Sequence, residues 1–201
     1  MIGLIGCPGA GKTTYARRFD PLAGWVHLTL DDFRQTLWPP HRQVYWELRQ
    51  GSHDDAARDL LHRVKEAALD AALTSGFSVV MADTHLTRPV FERELGIVAR
   101  HGLTVAWKVF DVPWEVLKAR NDERGRVDPS HRQPDEVLRF TYEVFQSPDA
   151  WWRSLPPQQV EVHLCPYSTL PSATNFTAMD AAYLRHRTYE LAGRRLQAHP
   201  P

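Results

Sequence analysis

Residues 6–13, with the sequence GCPGAGKT, have the composition and order of a loop that binds phosphate groups. Glycines let backbone N–H groups approach phosphate oxygens without a Cβ clash, and a lysine supplies positive charge. The loop follows an apolar run and precedes a helical pattern, which is the context that a Walker A motif requires. The sequence therefore predicts a site for ATP or another nucleoside triphosphate, formed by Gly6, Pro8, Gly9, Ala10, Gly11, Lys12, Thr13 and Thr14.

Two residues of this loop are expected to take part in the chemistry of the phosphates. Lys12 is predicted to bridge the β- and γ-phosphates and to act in catalysis. The hydroxyl of Thr13 is predicted to bind Mg²⁺ together with the phosphates of ATP.

The stretch LDDFRQ, residues 30–35, has the residue types that a phosphate acceptor requires. Transfer of phosphate to a hydroxyl needs a base that accepts the hydroxyl proton, and Asp31 is the candidate. Arg34 lies three residues later, on the same face of a helical turn, and is predicted to hold a phosphate of the acceptor. The alternative is an N-terminal helix cap with a solvated ion pair.

The stretch VVMADTHLTRP places Asp83 directly after an apolar strand, as in a Walker B motif. Asp83 is predicted either to order Mg²⁺ through water or to hold another side chain in place. Thr84 and His85 should face the same cleft and contact the substrate, although a purely structural role is an equal alternative for His85.

The stretch KARNDERGR places Arg120 and Arg124 one helical turn apart. Arginines at these positions could bind the donor nucleotide and supply positive charge to the transferring phosphoryl group. Gly125 should end this helix and open a lid around residues 120–134. The alternative is a solvated basic face, because Asp122 and Glu123 lie between the arginines.

The elements that must position these residues alternate between strand and helix. The pattern predicts an α/β fold of the P-loop kinase type, a parallel sheet with helices on both faces and a lid. Strands are expected over 1–5, 25–30, 77–82, 103–110 and 160–164, and helices over 12–19, 31–37, 52–75, 88–101, 114–124, 134–145 and 179–196. Gly6, Asp31, Asp83 and Asp111 would then meet at the carboxyl ends of the strands, where such folds bind ligands.

Length and composition limit the class of protein. The 201 residues suit a P-loop core over 1–147, with 148–201 as a C-terminal extension of the same domain made of a strand and a helix. Cys7 and Cys165 are the two cysteines, which excludes a disulfide framework. No apolar run approaches the length of a membrane span, so we expect no membrane and a cytoplasmic location, in the host if the gene is from a phage. The net charge of zero favours contact with only a few phosphates of a nucleic acid.

Four segments together resemble a known family. GCPGAGKTT, DDFRQ, DTHL and KVFDVPWEVLKARNDERG occur in the order and at separations similar to those in the kinase module of the bacteriophage polynucleotide kinase–phosphatase family, over residues 1 to about 146. The resemblance implies an ATP- and Mg²⁺-dependent kinase that phosphorylates a 5′-hydroxyl end of DNA or RNA. It implies these roles: phosphate binding for Lys12 and Thr13, general base for Asp31, acceptor clamp for Arg34, the aspartate after the third strand for Asp83, and lid arginines for Arg120 and Arg124, which bind the donor, with Arg124 as the catalytic clamp on the transferring phosphoryl group.

Three departures from that family concern the acceptor. Leu30 replaces an arginine, His85 replaces an asparagine, and the segment after the lid helix is longer. An internal hydroxymethylated base of phage DNA, such as 5-hydroxymethyluracil, is therefore an alternative acceptor, as is a small nucleoside or metabolite. Trp151, Trp152 and Tyr167 would stack on such a base or pack against the sheet. A regulatory ATPase without an acceptor is the third hypothesis. No second catalytic motif is present, so we predict no 3′-phosphatase activity, and no oligomeric state is predicted.

Overall fold

A computed structural model of the protein describes residues 1–39, 47–48, 54–127 and 132–164. In this part of the chain, five strands form one parallel sheet in the order β2-β3-β1-β4-β5. The predicted α/β fold is confirmed. The strands are β1 (Ile2–Ile5), β2 (Trp25–Leu28), β3 (Ser78–Met81), β4 (Ala106–Asp111) and β5 (Val160–Leu164).

Helices connect the strands within the described residues. They are α1 (Lys12–Ala16), α2 (Leu30–Leu37), α3 (Asp54–Thr74), α4 (Arg88–Arg100), α5 (Trp114–Val127) and α6 (Asp135–Gln146). The central strands consist of consecutive apolar residues because both faces of the sheet are covered, and Leu4, Ile5, Val79, Val80 and Met81 are fully buried. Ser52, Tyr167 and the helix predicted over 179–196 lie outside the described residues.

Several predicted boundaries differ from the observed ones by one to three residues, and two of these differences have clear local reasons. The strand expected over 25–30 ends at Leu28, because the Thr29 side chain accepts a hydrogen bond from Asp32 N and so caps α2. The helix expected over 12–19 ends at Ala16, because Arg18 N and Phe19 N bond to carbonyls three residues earlier instead of four.

The prediction that Gly125 ends its helix is also wrong. Helix α5 continues through Gly125 to Val127. A Cβ on Gly125 would lie 2.6 Å from Cδ and 3.0 Å from Cβ of Arg132. The glycine therefore allows the chain after α5 to pass close to the helix, rather than breaking it. Residues 128–131 of the predicted lid lie outside the described residues.

The tryptophans near the end of the described chain pack against the sheet. Trp151 contacts Phe91 and Trp107, with ring centroids 4.9 and 5.1 Å away, and its Nε1 donates to the carbonyl of His85 at 2.8 Å. Trp152 stacks on Phe145 and is buried. Of the two readings offered by the sequence, packing is the one that the structure supports for both residues.

Candidate active site

The predicted phosphate loop connects β1 to α1 and has a backbone that glycine makes possible. Gly6 and Gly11 have φ angles of 153° and 101°, in a region that other residues rarely adopt. A Cβ on Gly6 would also lie 3.0 Å from the carbonyl oxygen of Phe110. Gly6 N donates to the Thr84 carbonyl at 3.1 Å, which ties the loop to the end of β3. The loop is thus a backbone cradle of the kind that holds phosphate oxygens.

Lys12 lies at the centre of the predicted site. Its Nζ donates to the carbonyls of Gly6 and Cys7 at 2.9 and 2.8 Å. Burial lowers the pKa of Lys12 to about 8, the nearby charges of Asp83 and Asp31 oppose that shift, and Arg124 adds to it. The charges of these three side chains therefore act on Lys12. Residues from four predicted motifs contribute to one electrostatic environment.

Asp31 and Arg34 form an ion pair on the first turns of α2. Arg34 Nη1 lies 2.5 Å from Asp31 Oδ1. The Asp31 side chain is 61% exposed, whereas that of Arg34 is 15% exposed. Thr29, not Asp31, caps the helix, whereas the ion pair that the alternative interpretation included is present. The Asp31 carboxylate faces solvent beside an arginine that is mostly buried.

Asp83 is bound by two donors. Its Oδ1 accepts from Leu30 N at 2.8 Å, and its Oδ2 lies 2.5 Å from Lys65 Nζ. The hydrogen bond from Leu30 N fixes the start of α2, one residue before Asp31. Desolvation would raise the pKa of Asp83, but Lys65 outweighs it and holds that pKa below its usual range. Of the two roles predicted for Asp83, holding another group in place is the one that these contacts serve.

Lys65 and Glu94 complete a buried ion network that the sequence reasoning missed. Lys65 Nζ donates to both carboxylate oxygens of Glu94, at 2.9 and 2.8 Å, and its side chain is 1% exposed. Burial would lower the pKa of Lys65, but the carboxylates of Asp83 and Glu94 raise it above its usual value. A signal was present, because Lys65 lies between Leu61 and Leu69 at four-residue spacing, on the apolar face of α3.

His85 borders the same network but points its ring into the core. Its Nδ1 lies 2.7 Å from the Leu4 carbonyl oxygen, and its ring packs edge-on against Phe91 and Trp107. Its φ of 46° is the one positive value among the described non-glycine residues. Such backbone strain persists where the surroundings impose it. These contacts favour the structural alternative for the His85 side chain.

Helix α5 lies against the phosphate loop through its predicted arginines. Arg120 Nη1 donates to the Gly9 carbonyl at 3.0 Å. Arg124, one turn later, is exposed, and its charge lowers the pKa of Lys12. The buried Asn121 exchanges two hydrogen bonds with the backbone of Gln133, at 2.8 and 2.9 Å. This amide clamp, which the sequence reasoning missed, fixes the chain after residues 128–131 to the helix.

A cleft of about 360 Å³ opens beside Asp83, at the carboxyl ends of the strands. Leu30, Asp83 and Thr84 contribute to it from the strand ends, and α3, α4 and α6 form its sides. Cys7 Sγ contacts the Thr141 carbonyl of α6 at 3.6 Å, so the cleft adjoins the phosphate loop.

The residues present fit a Mg²⁺ ion that is bound together with a nucleotide. Thr13 is exposed in the first turn of α1, and Asp83 lies close enough to Lys12 to affect its pKa. Among the described residues, no cluster of three or more histidines, cysteines or carboxylates is placed to hold a metal. Mg²⁺ commonly binds through substrate phosphates, water and one or two protein oxygens rather than through a protein cage.

None of the described helices is both long and apolar enough to span a bilayer.

Comparison with known proteins identifies a family and a fold. A family model described as an AAA domain matches residues 1–148. Solved structures with a similar fold include a chain of the Pnkp1/Rnl/Hen1 RNA repair complex, with 22% identity and a TM-score of 0.58 over 72% of this chain and 43% of that one. The present chain thus spans less than half of that relative.

Two other similar structures, which match this chain over most of their own length, are a sugar kinase and a gluconokinase. A sugar kinase from Janibacter sp. HTCC2649 has 22% identity and a TM-score of 0.53, over 81% of this chain and 83% of that one. A gluconokinase from Sinorhizobium meliloti 1021 has 17% identity and a TM-score of 0.55, over 98% and 97%. At these identities the likeness shows a P-loop kinase fold alone.

Proposed function

The chain belongs to the AAA domain family, and from that premise we propose that it is an ATP-dependent phosphotransferase acting on the 5′-hydroxyl end of DNA or RNA. Its P-loop kinase fold supports a nucleotide-binding phosphotransferase. The polynucleotide acceptor is the further step, and the argument for it comes from the acceptor side of the site.

The observation that carries the proposal is the Asp31–Arg34 pair beside Lys12. Asp31 supplies a carboxylate that can accept a proton, and Arg34 a guanidinium that can bind a phosphate. An acceptor that uses both carries a hydroxyl and an anionic group, such as a phosphate, a few bonds apart. The terminal nucleotide of a polynucleotide has its 5′-hydroxyl and its 3′-phosphate in that relation.

The ion pair also suggests how binding of the acceptor would make the Asp31 carboxylate available as a general base. In the structure Arg34 neutralises Asp31, at 2.5 Å. An acceptor phosphate that competes for Arg34 would release the Asp31 carboxylate for the incoming hydroxyl. Asp31 then takes the hydroxyl proton as the oxygen attacks the γ-phosphorus, and the bond from that phosphorus to the β-γ bridging oxygen breaks, which leaves ADP.

The donor side would stabilise the phosphoryl group during this transfer. Lys12 would exchange the carbonyls of Gly6 and Cys7 for the β- and γ-phosphates, and the loop N–H groups would bind the same oxygens. Arg124 would contact the transferring group, and Arg120 would support the loop through its hydrogen bond to the Gly9 carbonyl. Mg²⁺, bound at Thr13 and through water near Asp83, would add positive charge at the phosphate oxygens.

A hydroxymethylated base within DNA is the second candidate acceptor. Leu30, which replaces the arginine of the resembled family, lines the cleft and makes it less cationic. Trp151 and Trp152 lend this candidate no support, because they pack in the interior. A nucleoside or metabolite acceptor is the third candidate, and the similar sugar kinases share the fold.

The test offers γ-labelled ATP and Mg²⁺ with three acceptors in parallel. The first is a 5′-hydroxyl oligonucleotide, the second 5′-phosphorylated DNA with internal 5-hydroxymethyluracil, and the third gluconate with a panel of sugars and nucleosides. We expect label on the first. Label on the second or third alone would contradict the proposal and identify the acceptor instead. Equal ATP hydrolysis with and without every acceptor would favour a regulatory ATPase.

A further inference from the structure

The cleft beside Asp83 lies next to Asp31, the proposed general base. Leu30 lines it and is followed in the chain by Asp31. Thr84 also lines it, and the Thr84 carbonyl is bonded to Gly6 N of the phosphate loop. A group that occupies the cleft would therefore belong to the same acceptor molecule whose hydroxyl meets Asp31.

The walls of the cleft are mainly apolar. Val90 of α4 and Phe140 of α6 face it, and they are 54% and 65% exposed. Phe91 and Val144 lie beside them. The exposure of two large apolar side chains at a cleft is typical of a site that an apolar surface covers.

The charged groups that line the cleft are already satisfied. Lys65 is paired with the carboxylates of both Asp83 and Glu94, which leaves one net negative charge in the trio, and the hydroxyl of Thr141 donates to Leu138 O at 2.8 Å. A polyol carries a hydroxyl on most of its carbons and would leave many of them unpaired against such walls. The flat face of an aromatic ring matches the walls better, because it needs no hydrogen bonds.

Among the described residues that line the cleft, His62 has a buried ring nitrogen with neither a hydrogen bond nor an ion-pair partner, whereas Asp83 Oδ2 and His85 Nε2 face Lys65 and Glu94. His62 lines the cleft from α3, one turn before Lys65. Its Nδ1 is buried and has no hydrogen bond to any described residue. Burial lowers the pKa of His62, so the ring is neutral near pH 7 and offers one donor and one acceptor nitrogen. A buried group of this kind is stabilised by a ligand that supplies the missing partner.

We propose that this cleft binds the terminal nucleobase of the acceptor, with its faces against Val90 and Phe140 and its edge hydrogen-bonded to His62. The inference rests on the proposed polynucleotide acceptor and deepens it. It makes recognition of the 5′-terminal base a property of residues from α3, α4 and α6, separate from the groups that handle phosphate.

The test compares two 5′-hydroxyl oligonucleotides that differ only in their first nucleotide, which is either natural or an abasic tetrahydrofuran residue. Stacking on an apolar wall is worth about 1–3 kcal/mol per base, so we expect the KM of the wild type to be about 5- to 100-fold higher for the abasic end. Phe140→Ala should raise KM for the natural end and leave KM for the abasic end unchanged.

The hydrogen bond proposed for His62 is tested by two variants of His62 and by a control variant of the next residue, Arg63. His62→Phe keeps the ring but removes the hydrogen bond, so KM for the natural end should rise about 2- to 10-fold, with no change for the abasic end. His62→Gln, which retains a donor and an acceptor, should recover most of the loss. Arg63→Ala is the control, because Arg63 is exposed and paired with Asp59. Unchanged thermal melting and ATP KM show that each variant is folded.

The outcomes separate the two proposals. If natural and abasic ends are phosphorylated equally, the cleft does not bind the base, although the polynucleotide kinase proposal survives. If His62→Phe raises KM for both ends alike, His62 acts on the fold and not on the base. If neither oligonucleotide is phosphorylated while another acceptor is, the polynucleotide function itself is wrong, and this inference falls with it.

Discussion

The donor and acceptor sides of the site are built in different ways. The donor side consists of one continuous loop, whose backbone supplies the N–H groups, and of α5 packed against it through Arg120. The acceptor side is assembled from the side chains of elements far apart in the chain, such as Asp31, Lys65, Asp83 and Glu94. Under the proposed function, ATP binding would depend on local backbone geometry, whereas acceptor choice would depend on tertiary packing.

The variant Asp31→Asn should distinguish the two sides most clearly, because it should lower turnover and leave ATP binding unchanged. Loss of a general base lowers kcat by about 10²–10⁴-fold, while the Kd for ATP should stay within about twofold because the phosphate loop is untouched. Steady-state kinetics and nucleotide titration measure the two quantities. Asp32→Asn is the matched control, since Asp32 is the next residue of α2 and should retain turnover. A variant that loses ATP binding as much as turnover would show that the two sides are one unit.

Because its ion network is buried, the acceptor side should lose more free energy of unfolding than the donor side when one charge is removed. Lys65→Met leaves the carboxylates of Asp83 and Glu94 buried together without their cation. Breaking such a pair typically lowers the free energy of unfolding by about 3–5 kcal/mol. Urea denaturation at pH 7 measures this loss, and the KM for the acceptor should rise because Asp83 holds the start of α2.

Lys118→Met is the control for that experiment on the donor side. Lys118 also contacts two carboxylates, those of Asp122 and Asp135, but its side chain is 31% exposed. Water replaces a lost partner there, so the change in unfolding free energy should be much smaller. Equal losses in the two variants would contradict the distinction between a buried and a solvated network.

The contrast between local and long-range contacts also explains which features could be predicted from the sequence. Residues 6–13 act through their neighbours in the chain, so motif and spacing were enough to place Lys12 under the loop. The parallel sheet followed from alternating apolar strands and helices. Lys65 and Glu94 meet across 29 residues, and only their position on apolar helix faces hinted at burial. Gly125 was misread because its reason, the close approach of Arg132, is a tertiary contact.

The pH dependence of ATP binding should sharpen the description of the donor side. The pKa of Lys12 is lowered to about 8 by burial, so the lysine loses its charge as pH rises through that value. ATP requires the charged form, and its Kd should weaken about tenfold between pH 7 and pH 9. Lys12→Arg remains protonated over this range and should give a flat profile. A flat profile in the wild type would show that Lys12 does not contribute its charge to binding.

The smallest expected effect compares the same substitution on both sides. Gly96 lies inside α4, which forms a wall of the acceptor cleft, and a Cβ there would meet nothing within 4 Å. Gly96→Ala should therefore raise the free energy of unfolding by about 0.5–1 kcal/mol, the usual gain of alanine over glycine in a helix. A Cβ on Gly125, in α5, would lie 2.6 Å from Arg132 Cδ.

Gly125→Ala should raise the free energy of unfolding by less than Gly96→Ala does, because Arg132 must move away from its partners. Arg132 Nη2 lies 2.9 Å from Asp135 Oδ1 and 3.3 Å from Asp122 Oδ1. Urea denaturation of both variants measures the difference, and adding Arg132→Ala to each should reduce it, because the Cδ and Cγ contacts are removed while the Cβ contact at 3.0 Å remains. Equal gains without that addition would mean that Arg132 rotates aside at no cost. Gly125 would then not be needed to hold the chain after α5 against the donor side.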